Sequence, residues 1–115
     1  MKLKLSDGIN AARKSGELQP FIQAVPYFRW LNLRAERLGD ELITTMPYQD
    51  MLIGNPVLPA LHGGVTGALL ESAAMISLIG AMEEPILPRI INITVEYLRP
   101  GRAEDSFATG IVTKQ

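Results

Sequence analysis

One carboxylate, one imidazole and a pair of glycines share the stretch NPVLPALHGGVTGALLESAAMISLIGAM, residues 55–82. Glu71 is the one charged residue there, set among Val, Ala, Leu, Met and Ile, and His62 is the one histidine of the protein. Burying an ionised carboxylate is costly, so in an apolar helix Glu71 is either neutralised or put to use as a base or nucleophile. Gly63 and Gly64 allow a tight helix entry and let a ligand approach bare backbone. The first N–H groups of that helix lack partners within it, and together with the macrodipole they suit a developing negative charge. One end of the element can hold an oxyanion while its middle carries an acid-base or nucleophilic group.

Spacing limits how the two parts cooperate. Gly63 and Glu71 are eight positions apart, roughly 12 Å along a helix at about 1.5 Å per residue, and they point in different directions. They cannot grip one reacting atom from a single helix. Two such helices packed antiparallel bring Glu71 of one subunit near the Gly63 amide of the other, so this chemistry implies a dimer with two equivalent sites. Plainer roles compete: a structural core carboxylate for Glu71, a loop-orienting imidazole rather than a general base for His62, and a simple helix-entry turn for the glycines. His62 lacks the companion ligands a metal would need.

The elements that must position these residues are legible in outline. Pro56 and Pro59 keep residues 55–61 extended, and the apolar run predicts a helix from Val65 to Met82, ended by Gly80, Glu83-Glu84 and Pro85. Being apolar all round, that helix is expected to be buried. Residues 5–28 read as helical, with Leu18, Phe21, Ile22 and Val25 on one face and Pro20 in the first turn. This segment is an amphipathic cover, from which Phe21, Tyr27, Phe28 or Trp30 could also line an apolar pocket. Alternation over 30–48, with Gly39-Asp40 as a turn, predicts a hairpin. IINITVEYL, residues 90–98, and DSFATGIVTK, residues 105–114, predict two further strands. Met46, Met51, Met75 and Met82 read as core or pocket filler. The pattern is α+β, a curved antiparallel sheet around one long helix.

His62-Gly63-Gly64, Glu71 nine positions after the histidine, and Tyr97-Leu98-Arg99-Pro100-Gly101 at a strand end occur here in order. In that combination the chain resembles the hotdog-fold thioesterases of the phenylacetate-pathway (PaaI-like) type, over roughly residues 27 to 114. The resemblance implies a hotdog fold and hydrolysis of acyl-CoA thioesters to free acid and CoA. It implies the Gly63 amide as the donor polarising the thioester carbonyl and Glu71 as nucleophile or general base toward water. Asn55, seven residues before His62 where six is usual, corresponds to a loop asparagine that helps position the water or the carbonyl. His62 counts with the catalytic turn. Gly64, Arg99 and Arg102 are the expected substrate contacts, the arginines toward the phosphates of CoA. Where some relatives carry an assisting hydroxyl this chain has Met75 and Ile90, leaving Ser72 or Ser77 for such a role. The resemblance further implies a homodimer or homotetramer and neither cofactor nor metal.

Composition excludes other classes. With 115 residues, 47% hydrophobic content and a net charge of −1, the chain suits a single domain, 1–115, comprising a helical cover over 1–28 and a hotdog core over 29–115. A near-neutral charge offers nucleic acid no electrostatic footprint. There is no cysteine, which rules out disulfides and thiol catalysis and fits a cytoplasmic setting. MKLKLSDGIN lacks the features of a signal peptide, and a span built on the marginal-length helix would have to hold Glu71, so no membrane partner is expected. Hotdog thioesterases generally run on for two strands past Gln115, so an open sheet edge is expected here. Two other functions fit the residues: a non-catalytic acyl-CoA or lipid-binding or assembly subunit with a structural Glu71, and a hotdog hydratase or dehydratase in which His62 and Glu71 share acid-base work.

Overall fold

The structure, a computed structural model, describes residues 18–81 and 89–113. Two short helices come first, α1 (Gln19–Ala24) and α2 (Pro26–Trp30), each with proline in its first turn. The single helix expected over 5–28 is divided at Val25, because a residue before proline is pushed out of the helical region; Val25 has φ −99° and ψ 113°. The part of that expectation over residues 1–17 lies outside the described residues. Phe21 and Ile22 are fully buried as their spacing demands, and Phe21 meets Phe28 edge-on with 5.9 Å between ring centroids. These two rings belong to the core rather than to a pocket wall, while Tyr27 and Trp30 stack on each other at the surface.

Helix α2 stops at Asn32, whose φ of 57° is left-handed. Its N–H donates to the Arg29 carbonyl and that of Leu33 donates to the Phe28 carbonyl, which satisfies oxygens the helix end would otherwise leave free. The chain then forms β1 (Arg34–Leu38), β2 (Glu41–Met46), a turn of 3-10 helix over Asp50–Leu52, β3 (Ile53–Asn55), β4 (Ala60–Leu61), the long helix α3 (Gly63–Ala81) and β5 (Ser106–Thr109). Leu38 pairs with Glu41, leaving Gly39 and Asp40 as a two-residue hairpin loop. Gly39 has φ 64° at the first loop position, where a type II′ turn requires a positive value. β5 pairs antiparallel with the other side of β2, Ile43 opposite Thr109 and Met46 opposite Ser106, giving the order β1-β2-β5.

Helix α3 packs on β2 and β5 and buries Leu69, Ser72, Ala73, Ile76 and Ile79. These residues close a core with Phe21, Leu33, Met46 and Leu52. A long helix on an antiparallel sheet is the expected α+β arrangement. Three local differences accompany it. The helix begins at Gly63 rather than Val65, since glycine is tolerated in a first turn where His62 accepts the N–H groups of Gly64, Val65 and Thr66. Residues 90–98, predicted as a strand, form none among the described residues: Ile91 is 96% exposed, and alternation yields a strand only where a neighbour supplies backbone partners. Met51 is exposed while Met46 is buried; the expected end of α3 after residue 81, Met82 included, lies outside the described residues.

Ile76, fully buried on α3, and Thr44, fully buried on β2 with its hydroxyl unpartnered among the described residues, should respond in opposite directions to truncation and to removal of polarity. Ile76→Ala is expected to cost about 2–5 kcal/mol through the cavity it leaves. Thr44→Val, which replaces an unsatisfied hydroxyl by a methyl group, is expected to stabilise by about 1 kcal/mol. Urea unfolding of both variants checks the pair.

Candidate active site

The segment leading into α3 is gripped from two sides. β3 and β4 pair antiparallel, Ile53 with Leu61 and Asn55 with Ala60. Asn55 closes the loop between them, its Oδ1 accepting the N–H groups of Val57 at 3.0 Å and Leu58 at 3.4 Å, as a short polar side chain does in an Asx turn. Beyond the hairpin the His62 N–H donates to the Leu52 carbonyl at 2.8 Å. On the other flank the Leu61 N–H donates to the Gly101 carbonyl at 2.9 Å, and Ala60 bridges antiparallel to Arg102. Gly54 permits this closeness, because a Cβ there would stand 2.6 Å from the His62 Cα.

With the entry fixed, the hydrogen bonds at the start of α3 can be followed donor by donor. The N–H groups of Val65 and Thr66 both donate to the His62 carbonyl, at 3.0 and 3.1 Å. The Gly64 N–H donates to His62 Nδ1 at 2.9 Å, so the imidazole acts as a cap and carries its proton on Nε2. The Gly63 N–H has no acceptor among the described residues. An unpaired first-turn amide at a positive dipole end is suited to an anionic oxygen.

Gly63 lines a cleft of about 390 Å³ together with Leu61, Thr66, Tyr97 and Arg99. The Tyr97 hydroxyl donates to the Gly63 carbonyl at 2.7 Å. Gly63, His62, Gly64 and Arg99 are therefore brought together. Arg102 is tied to the same region through its backbone bridge, and its side chain is exposed. Asn55 is exposed on the neighbouring hairpin with its carbonyl oxygen engaged in its own turn. A larger cavity of about 570 Å³ lies beside Ser77 and Gly110, but it contains neither the free amide nor a cation.

Glu71 stands apart from that cleft within one chain. It is half-buried rather than sealed in a core, two turns along α3 on the side with Gly67 and Ala74, opposite the sheet-facing Ser72, Ala73 and Ile76. Only 28% of an 18-residue window of this helix is buried, and on the face carrying Glu71 the described residues leave Ala74 exposed and Glu71 partly so. Ser72 faces the sheet, and the Ser77 hydroxyl is buried without a partner among the described residues. Sequence reading did not single out Tyr97. Its signal was an amphipathic ring with a polar tip, two residues before Arg99 in the segment that follows the helix.

The sequence profile of the thioesterase superfamily matches residues 58–115. The chain belongs to the thioesterase superfamily. As such it is a thioester hydrolase, with the hotdog arrangement of an antiparallel sheet and one long central helix. The matched residues include His62, Gly63, Gly64, Glu71, Arg99 and Arg102, while Asn55 precedes them. It is similar to the medium/long-chain acyl-CoA thioesterase YigI of Escherichia coli (strain K12), 32% identical over 113 residues that cover 86% of this chain and 72% of the relative. The protein of the same name from Salmonella typhimurium is 31% identical over 114 residues, with 86% and 72% covered. No solved structure matches significantly.

The contact of Gly54 with His62 gives a direct check on how this superfamily member holds its helix entry. Gly54→Ala must displace His62 backbone and is expected to destabilise by about 1–3 kcal/mol through overpacking. It should also shift the His62 ring resonances in NMR spectra, whereas Gly110→Ala, which meets Ser77 instead, should leave them in place.

Proposed function

We propose that the protein hydrolyses acyl-CoA thioesters to a free acid and CoA, working in the cytoplasm as a homodimer or a dimer of dimers. The observation that carries this reading is the Gly63 N–H at the start of α3, unpaired among the described residues and belonging to a residue that lines a cleft, while the same helix offers a part-exposed Glu71. The likeness to proteins named medium/long-chain acyl-CoA thioesterases supports the substrate class.

Gly67 lies midway between Gly63 and Glu71. Two copies of α3 crossing antiparallel at the level of Gly67 bring Glu71 of one subunit to the Gly63 amide of the other. Such a crossing also covers the apolar face that the sheet leaves open. In each of the two sites the thioester carbonyl oxygen accepts a hydrogen bond from Gly63. Glu71 of the facing subunit then either removes a proton from water as that water attacks the carbonyl carbon, or attacks the carbon itself to form an anhydride that water later opens. Both routes pass through a tetrahedral oxyanion, which the amide stabilises more than it does the neutral carbonyl. Collapse breaks the C–S bond, and the CoA thiolate leaves and takes up a proton.

The remaining residues have supporting parts in this reading. His62 caps Gly64 and so keeps the turn in shape, Gly64 leaves the backbone bare for the thioester, and the Asn55 amide nitrogen is free to orient water at the edge of the site. Arg99 at the cleft and Arg102 beside it supply positive charge for the phosphates of CoA.

Two variants test the scheme against a panel of short, medium, long and aryl-acetyl CoA thioesters, read by thiol release. Glu71→Gln is expected to lower kcat about a thousandfold while leaving acyl-CoA binding intact. Gly63→Pro removes the donor at a first-turn position where proline suits a helix, and is expected to lower kcat about a hundredfold or more with helix content unchanged by circular dichroism. Turnover that survives Glu71→Gln would assign the carboxylate a structural role.

A further inference from the structure

The peptide unit joining Gly63 to Gly64 is held at both of its polar ends. Its carbonyl accepts the Tyr97 hydroxyl at 2.7 Å, and its N–H donates to His62 Nδ1 at 2.9 Å. Both residues belong to the first turn of α3, where glycine leaves the peptide no side-chain bulk to steady it, so these bonds add to the helix in fixing its orientation. The fit is close. A Cβ on Gly63 would lie 3.6 Å from the Tyr97 ring and one on Gly67 3.3 Å from its hydroxyl, so the phenol rests on helix backbone over the first turn of α3. Rotation of this peptide would take the Gly64 N–H off His62 Nδ1 and free it to compete with the neighbouring Gly63 N–H for a ligand.

We infer that Tyr97 is a positioning residue for the reaction: its hydroxyl, with His62 on the other side, clamps the Gly63-Gly64 peptide so that the Gly64 N–H stays on the imidazole and the Gly63 N–H is left as the one donor offered at the helix start. This rests on the reading of Gly63 as the oxyanion donor. Tyr97 need not touch the reacting atoms; it acts by holding the adjoining peptide, so that a rival donor does not draw the oxyanion out of the geometry in which it is stabilised. The arrangement also explains why a residue from the unpaired segment 89–98 comes to the start of the helix.

Tyr97→Phe in the full chain keeps the ring and removes the hydroxyl. With decanoyl-CoA as the probe, kcat is expected to fall about tenfold, the effect of losing one orienting hydrogen bond, while KM stays within about twofold and Tm is unchanged. In ¹H–¹⁵N spectra the Gly63 and Gly64 amide resonances should move, and Gly64 hydrogen exchange should quicken. Unmoved glycine resonances overturn the clamp. Moved resonances with unaltered kcat overturn the positioning role, as does a loss of activity that only tracks a lower Tm. Full activity in Gly63→Pro overturns the oxyanion reading itself, whatever Tyr97→Phe does, so the two failures are distinguishable.

Discussion

The backbone of α3 has to start against His62 without all of its first amides being consumed. His62 takes up those of Gly64, Val65 and Thr66, one through its ring and two through its carbonyl. Everything around it serves to hold that residue still. Leu52 accepts its N–H, Gly101 accepts that of Leu61, and Gly54 has no side chain because none would fit beside the His62 Cα. A free donor at a helix start is useful for catalysis only when it is preorganised, since reorientation during the reaction would cost what the bond contributes.

The second constraint is the mismatch between the composition of α3 and its surroundings. Leu69, Ala73, Ile76 and Ile79 are buried, but Leu70 is 42% exposed, Ala74 is exposed and Glu71 is only partly covered among the described residues. Leaving apolar area in water forfeits about 25 cal/mol per Å², so an uncovered stripe of this length favours association. On the proposed reading the same association completes the chemistry, because it brings a carboxylate to an amide that its own chain cannot reach. Stability and activity would then depend on one surface.

Much of the fold was legible. The alternation around Gly39-Asp40 gave the β1-β2 hairpin, and the run after His62 gave α3, because both signals are local and strong. The boundary at Val25 was available from Pro26 but was overridden by the apolar spacing on either side of it. The strand predicted over 90–98 failed for a non-local reason: Ile91, Ile93, Val95 and Tyr97 alternate, yet no neighbouring strand takes up their backbone groups. Met51 failed similarly, since hydrophobicity does not say which side of a 3-10 turn faces the core. At the candidate site, Gly63, Gly64 and His62 stood out by type and spacing, whereas Tyr97 was named only as part of a strand pattern and of the Tyr97-to-Gly101 motif, with no role of its own.

The sequence by itself determined the α+β class, the long apolar helix with its lone carboxylate, the glycine entry and the thioesterase resemblance, because residue type and spacing encode periodicity, backbone freedom and charge. Tertiary structure alone decided which amide stays unpaired, that the histidine ring caps Gly64, and that Tyr97 reaches back to Gly63 from 34 positions along the chain. Those are matters of who meets whom across long loops, and no local pattern specifies the partner of a hydrogen bond that the fold must first bring within reach.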